Sequence, residues 1–280
     1  MRGLGRVKEG ILGACGAVWG GVFRRANALT VRLYASATPV REVRTARGIL
    51  RFACENPLTL WRATTFFKKE PDTLAWIDGM QPGDVLFDIG ANVGLYTLYA
   101  AQRGVRVYAF EPESQNFALL NRNIYLNGMQ DRVVALNVAL SDRNVIDALY
   151  LSSMDKGASL HTVHRNIDFA EQEFEAGFRQ GVMVATLDSL VADWHLPRPT
   201  YIKMDVDGHE SAIVRGAYAT VEHPSLRGVL VELNLDVEKD RGVITDLECR
   251  GHTLEGRRQT TGGEGTRFAG VHNCIFRRQP

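Results

Sequence analysis

Four carboxylates fall at or near the ends of apolar runs in this chain of 280 residues: Asp88 in Val85-Leu-Phe-Asp88-Ile89, Glu111 after Val105-Arg-Val-Tyr-Ala-Phe110, Asp205 after Ile202-Lys-Met204, and Glu232 in Val231-Glu232-Leu233. The first run leads into Gly90-Ala-Asn92-Val-Gly94, an acid followed by small residues where a strand meets a tight turn. Such a turn suits a nucleotide-type cofactor. Glu111 lies about 20 residues beyond the glycines, the spacing that lets a carboxylate at the tip of the second strand accept hydrogen bonds from both ribose hydroxyls.

The turn reads D-x-G-x-N-x-G, which departs from the G-x-G-x-x-G of a dinucleotide fingerprint. Asn92 takes a middle glycine's place, and asparagine is among the few residues that tolerate a left-handed backbone. No lysine follows the glycines, which excludes a P-loop for a triphosphate. Asp88 would repel a pyrophosphate but favours a cation, and S-adenosylmethionine carries both an ammonium and a sulfonium. That cofactor is therefore preferred to NAD. An NAD-dependent oxidoreductase is the alternative enzyme, and a non-catalytic cofactor-binding or membrane-associated scaffold the alternative outside catalysis.

The elements that must position these residues alternate. Strands are expected at 85–88, 105–110, 132–138, 200–205, 228–233 and 272–277, with helices at 94–102, 113–127 and 208–221. This order predicts a parallel sheet with helices on both faces and ligands beyond the carboxyl ends of its strands. An insertion over 145–197 should hold a strand at Asp147–Leu151, a polar loop Ser152–Ser159, a charged helical run 166–178, a strand at Val182–Leu187 and a short helix capped by Asp188. It reads as a substrate-facing cover. Before the sheet, Pro71 is suited to the first turn of a helix. Residues 1–80 read as an extension and 81–280 as the cofactor-binding domain.

The 33 basic and 32 acidic residues nearly cancel, so nothing global argues for nucleic acid. Four cysteines without a C-x-x-C pair suit reduced thiols in a cytoplasmic protein. Apolar residues at Leu4, Val7, Ile11, Cys15, Val18 and Val22 recur with helical period among arginines, so residues 4–25 permit peripheral contact with an anionic membrane.

Several ordered blocks together resemble the FkbM family of S-adenosylmethionine-dependent methyltransferases, within the class I superfamily. They include Lys69-Glu-Pro-Asp-Thr73, Phe87-Asp-Ile-Gly-Ala-Asn-Val-Gly-Leu-Tyr96, Ala109-Phe-Glu-Pro112, Asn137-Val-Ala-Leu-Ser141, Thr186-Leu-Asp188 and Ile202-Lys-Met-Asp-Val-Asp-Gly-His-Glu210. The resemblance implies an α/β, Rossmann-like doubly wound sheet of seven strands with the last antiparallel. It also implies O-methylation of a hydroxyl on a sugar, glycan or natural-product small molecule. Carried onto these residues, it puts Gly90, Asn92 and Gly94 beneath the methionine part, Asp88 near its amino group and Glu111 on the ribose. Val138 and Ala139 face the adenine, and Ser141 or Asp142 reaches its edge.

Methyl transfer is an in-line displacement, so the acceptor oxygen must be aligned and its proton removed. The chemistry then falls to Asp205-Val-Asp207-Gly-His209-Glu210. Asp205 takes the proton or orients the hydroxyl, His209 offers an imidazole for base work, and Glu210 binds substrate or favours a helix N-terminus. Related small-molecule methyltransferases bind a divalent ion through an acid and an adjacent acid–amide pair. Glu232 and Asn234 are not adjacent, so a metal is not expected here. Lys203 inside a strand needs an acidic partner or an escape to solvent.

Overall fold

The computed structural model describes residues 27–33, 38–260, 266 and 268–279. The chain divides into two compact units, Met1–Pro39 and Val40–Pro280. In the first, residues 27–33 are helical and exposed, while the amphipathic helix expected over 4–25 lies outside the described residues. Among the described residues no helix is long and apolar enough to cross a membrane.

In chain order the second unit begins with the hairpin β1 (Val40–Thr45) and β2 (Gly48–Ala53), then α1 (Pro57–Lys69) and α2 (Pro71–Asp78). There follow β3 (Val85–Ile89), α3 (Leu95–Gln102), β4 (Arg106–Phe110), α4 (Ser114–Leu126) and β5 (Val133–Leu136). Next come β6 (Ala139–Leu140), β7 (Val145–Leu151), β8 (Thr162–Val163), β9 (Phe178–Ala185) and α5 (Leu187–Ala192). The chain ends with β10 (Tyr201–Met204), α6 (Glu210–Arg215), α7 (Tyr218–Glu222), β11 (Gly228–Asn234), α8 (Glu238–Cys249), β12 (His252–Gln259) and β13 (Val271–Arg278).

Seven strands form one sheet in the order β12, β13, β11, β10, β3, β4, β5. Of its pairings, β3 with β4, β4 with β5, β3 with β10 and β10 with β11 are parallel, and β13 runs antiparallel to both neighbours. The strand order reverses between β3 and β10, where a doubly wound sheet opens its ligand crevice. β3 is buried throughout because successive side chains enter opposite layers: Val85, Phe87 and Ile89 join one core and Leu86 the other. Asp88 shares the Leu86 side, and its register partner on β10 is Lys203.

The sixth strand escaped the sequence reading. β12 lies at the sheet edge and most of it is exposed, so His252-Thr-Leu-Glu-Gly-Arg-Arg-Gln259 carries no apolar alternation. The insertion's β7, β8 and β9 join β6, which precedes it, in a second sheet ordered β6, β9, β7, β8. Its expected helix at 166–178 does not form; Ile167 bridges Glu173, and Asp168 accepts the N–H groups of Ala170 and Gln172. Thr186, not Asp188, caps α5 by accepting Ser189 N–H. Asp188 instead receives the N–H groups of Ala219 and Thr220, bracing α7. The helix expected at 208–221 is divided into α6 and α7. Pro71 opens α2 as anticipated.

Residues 40–80 share a core with the sheet. Val43, Leu50, Phe52, Phe66 and Ile77 pack with Leu86, Leu98 and Val107, and the Phe66 ring sits against Tyr96 and Tyr99 of α3. This fixes α1 beside the turn after β3. The three described cysteines, Cys54, Cys249 and Cys274, are free thiols.

Candidate active site

A cavity of about 370 Å³ opens at the carboxyl ends of β3, β4, β10 and β11, within the range of small-molecule sites. Its walls include Gly90, Asn92, Glu111, Val138, Ala139, Asp205 and His209. Seven of the expected site residues are thus gathered in one place. The other four are placed elsewhere.

Asn92 has φ 50°, the left-handed backbone expected of it. Its N–H donates to Glu111 Oε2 at 2.7 Å, and the Glu113 N–H donates to Oε1 at 2.9 Å. The carboxylate at the tip of β4 is thereby fixed across the turn after β3. Burial pushes the Glu111 carboxyl up to about 8, against the pull of those two N–H groups. Gly90 has φ +80°, and a Cβ there would lie 1.9 Å from the backbone oxygen of Asp205. Glycine is required where β3 and β10 diverge, because the two backbones touch.

Gly94 serves packing. A Cβ would come within 2.5 Å of Leu120 Cδ1, and the residue does not line the cavity. Asp88 also stays out of it: the carboxylate accepts Thr97 Oγ1–H at 2.5 Å and lies 3.7 Å from Lys203 Nζ. Burial raises its pKa, opposed by Lys203 and Thr97. Asp142 turns outward to Arg215 at 3.0 Å and Arg143 at 3.5 Å. Glu210 folds back within its own turn, where Oε1 accepts Val206 N–H at 3.1 Å. Its carboxyl is raised to about 8 by burial and by Asp240.

Asp205 and His209 part company within five residues. Lys203 Nζ is 3.4 Å from Asp205 Oδ2, and Lys203 also lies 5.2 Å from the Tyr96 ring centroid. Burial opposes ionisation of Asp205, but Lys203 and then Lys69 outweigh it and hold the carboxyl below its usual range. Lys203 therefore pairs with two acids inside the sheet, and its head does not reach solvent. His209 belongs to another group: Nε2 lies 3.0 Å from Ser141 Oγ, beside His164. Burial depresses its pKa to about 4, so the ring is neutral at physiological pH.

Sequence reasoning named Asp207 within its block but gave it no role; it is a cavity residue with φ 58° whose Oδ2 accepts Leu160 N–H at 2.6 Å. Burial and the neighbouring Asp205 raise it to about 6. An acid two residues past a strand end was the available signal. It also missed Trp61 and Arg62 and gave no role to Lys69; the three bring one side of α1 to the cavity, with Leu58 beside them. Of that helix only its last residue, Lys69, falls within a family block.

The end of the loop Ser152–Ser159, through Ala158 and Ser159, lines the cavity. Asn92 and Asn116 both donate to Ala158 O, at 2.8 and 3.1 Å, and Arg62 Nε donates to Gly157 O at 2.6 Å. Next to it, His161 Nδ1 accepts Ser152 N–H at 3.3 Å, which leaves the proton of the neutral ring on Nε2. That Nε2 is buried with no partner among the described residues. An orphaned donor in a cavity wall calls for a ligand acceptor.

The methyltransferase FkbM domain matches residues 88–248. The chain belongs to the FkbM methyltransferase family. Among relatives, the 31-O-demethyl-FK506 methyltransferase FkbM of Streptomyces tacrolimicus is 28% identical, the match covering 62% of this chain and 73% of that one. The hexuronic acid methyltransferase AglP of Haloferax volcanii is 23% identical over 67% of this chain and 72% of its own. A solved FkbM methyltransferase from Methylobacillus flagellatus superposes with a TM-score of 0.46 at 18% identity. That superposition covers 71% of this chain and 44% of the solved one.

Proposed function

We propose that this protein transfers a methyl group from S-adenosylmethionine to a hydroxyl of a sugar, glycan or natural-product small molecule. The observation that carries the reading is Glu111, whose carboxylate is locked in the cavity by the Asn92 and Glu113 N–H groups at the tip of β4. Its two oxygens suit a pair of vicinal hydroxyls. The donor set fits the rest of the cofactor. Val138, Leu140, Leu149 and Ile213 give the cavity an apolar lining for a purine, while His161 Nε2–H offers a donor for a carboxylate.

When bound, the cofactor supplies an electrophilic methyl group on a sulfonium. The chain's part is to hold the acceptor oxygen and take its proton. Asp205, kept ionised by Lys203 and Lys69, orients the hydroxyl by accepting its hydrogen bond. Asp207 spends one oxygen on Leu160 N–H and takes the proton on the other; at about 6 its pKa is close to the optimum for a base near neutrality. The docked loop Ser152–Ser159 limits access of water.

The oxygen acceptor and its carbohydrate or natural-product class rest on the relatives, one named for a demethylated FK506 and another for a hexuronic acid. The test has two arms. Calorimetry should detect S-adenosylhomocysteine binding to the wild type and its loss in Glu111→Ala. Metabolites of a deletion strain and its complement should then differ by one methyl group on a hydroxylated compound. A shift confined to an amine or a carbon would refute the O-methyltransferase reading.

A further inference from the structure

Four side chains form an unbroken line from the surface of the insertion sheet to the cavity. Asp147 Oδ2, half-exposed on β7, lies 2.5 Å from His164 Nδ1; His164 Nε2 lies 3.2 Å from Ser141 Oγ; Ser141 Oγ lies 3.0 Å from His209 Nε2. Ser141 is fully buried, so it cannot act as a nucleophile on a solvent-borne substrate.

The directions of these bonds can be worked out by counting protons. A carboxylate only accepts, so His164 carries a proton on Nδ1, and a ring with that single proton has a bare Nε2. Ser141 has one hydroxyl proton. Turning it toward Asp142 Oδ1, at 3.4 Å, would leave two lone pairs facing across the Ser141–His164 contact, so the proton goes to His164. Ser141 Oγ is then free to accept, and His209 donates from Nε2. The remaining nitrogen, Nδ1, is bare. It has no partner among the described residues, and His209 lines the cavity with Val138, Ala139, Leu140 and Ile213.

We propose that Asp147, His164 and Ser141 act as positioning residues that lock His209 in the Nε2–H tautomer, presenting a bare Nδ1 as a hydrogen-bond acceptor to the cavity. The group it selects is a 6-aminopurine. An exocyclic amine donates to that nitrogen, whereas the carbonyl of hypoxanthine or guanine would meet lone pair with lone pair. Burial keeps the ring neutral, with the opposing influence of Asp142 too weak to protonate it. The ligand choice rests on the cofactor reading above; the tautomer does not.

The test uses the full chain labelled with 15N-histidine. At pH 8, long-range proton–nitrogen spectra should show His209 protonated on Nε2 and bare on Nδ1. Calorimetry should show S-adenosylhomocysteine bound at least tenfold more tightly than S-inosylhomocysteine. Asp147→Ala, at a half-exposed position of β7, should mix the His209 tautomers and cut that preference severalfold, and Ser141→Ala should abolish it if the variant folds. A wild-type His209 protonated on Nδ1 overturns the proposal, as does a preference unchanged in Asp147→Ala. Failure of the wild type to bind S-adenosylhomocysteine would instead overturn the cofactor reading, while the nitrogen shifts would still judge the tautomer.

Discussion

The two sides of the cavity are built from different materials. Toward β3 and β4, the wall is backbone and short side chains: Gly90 against the Asp205 carbonyl, the Asn92 N–H on Glu111, and the Val138–Ala139 segment. All of this lies within residues 88–248, which carry the family match. The facing wall is made of long side chains on α1, Trp61, Arg62 and Lys69, together with Thr260 and Phe268 near the C-terminus, all outside that range. A site made of strand ends cannot change without rebuilding the sheet. A helix face can exchange its side chains while its other side stays packed through Phe66. We therefore read the first side as the cofactor's and the second as the acceptor's.

The strongest way to break this contrast is Gly90→Ala. The backbone at φ +80° and a Cβ 1.9 Å from Asp205 O leave no room, so we expect at least about 4 kcal/mol of destabilisation and little folded protein on thermal melting. Gly94→Ala shares the positive φ but meets only the flexible end of Leu120, and should cost about 1–2 kcal/mol. Equal melting temperatures for the two would refute the distinction.

Asp207→Asn should lower kcat about a thousandfold and leave the S-adenosylhomocysteine Kd unchanged. In the wild type kcat should rise as pH passes through about 6, because Asp207 must be ionised to take a proton. A profile without that limb would remove Asp207 from the role.

Glu111 should make cofactor affinity itself depend on pH. Ribose hydroxyls donate to the ionised carboxyl, so binding lowers its pKa and releases a proton. With the free carboxyl near 8, affinity should grow as pH rises to 8, by at most about tenfold per unit, and level off above. Glu111→Gln should flatten the curve.

The smallest effect tests the opposite wall. Trp61→Ala should raise the acceptor KM by about tenfold or less with no change in cofactor Kd, since its half-exposed ring faces the cavity from α1. A weaker cofactor Kd in this variant would erase the division between the two sides.

Where local pattern decides, the sequence was legible. Continuous apolar runs marked β3, β4, β10 and β11, Asn92 announced its left-handed turn, and Glu111 stood at the spacing that a strand–helix–strand unit imposes. The edge strand β12 was invisible because exposure removes the periodic signal. The segment 166–178 misled because charge alone reads as helix, while Asp168 used its oxygens to fold a turn.

The sequence by itself determined the sheet and the turn, since period-two burial and a backbone that needs glycine or asparagine are properties of adjacent residues. It also placed Asp205, His209 and Glu210 in one short block. Only the tertiary structure decided that Asp205 meets Lys203, His209 meets Ser141, and Glu210 turns back to Val206. The reason lies in positions 207 and 208, whose φ values of 58° and 102° turn the chain between strand and helix. After such a turn, Asp207 and His209 are directed by contacts with residues 47 and 68 positions away, Leu160 and Ser141, which no local spacing encodes.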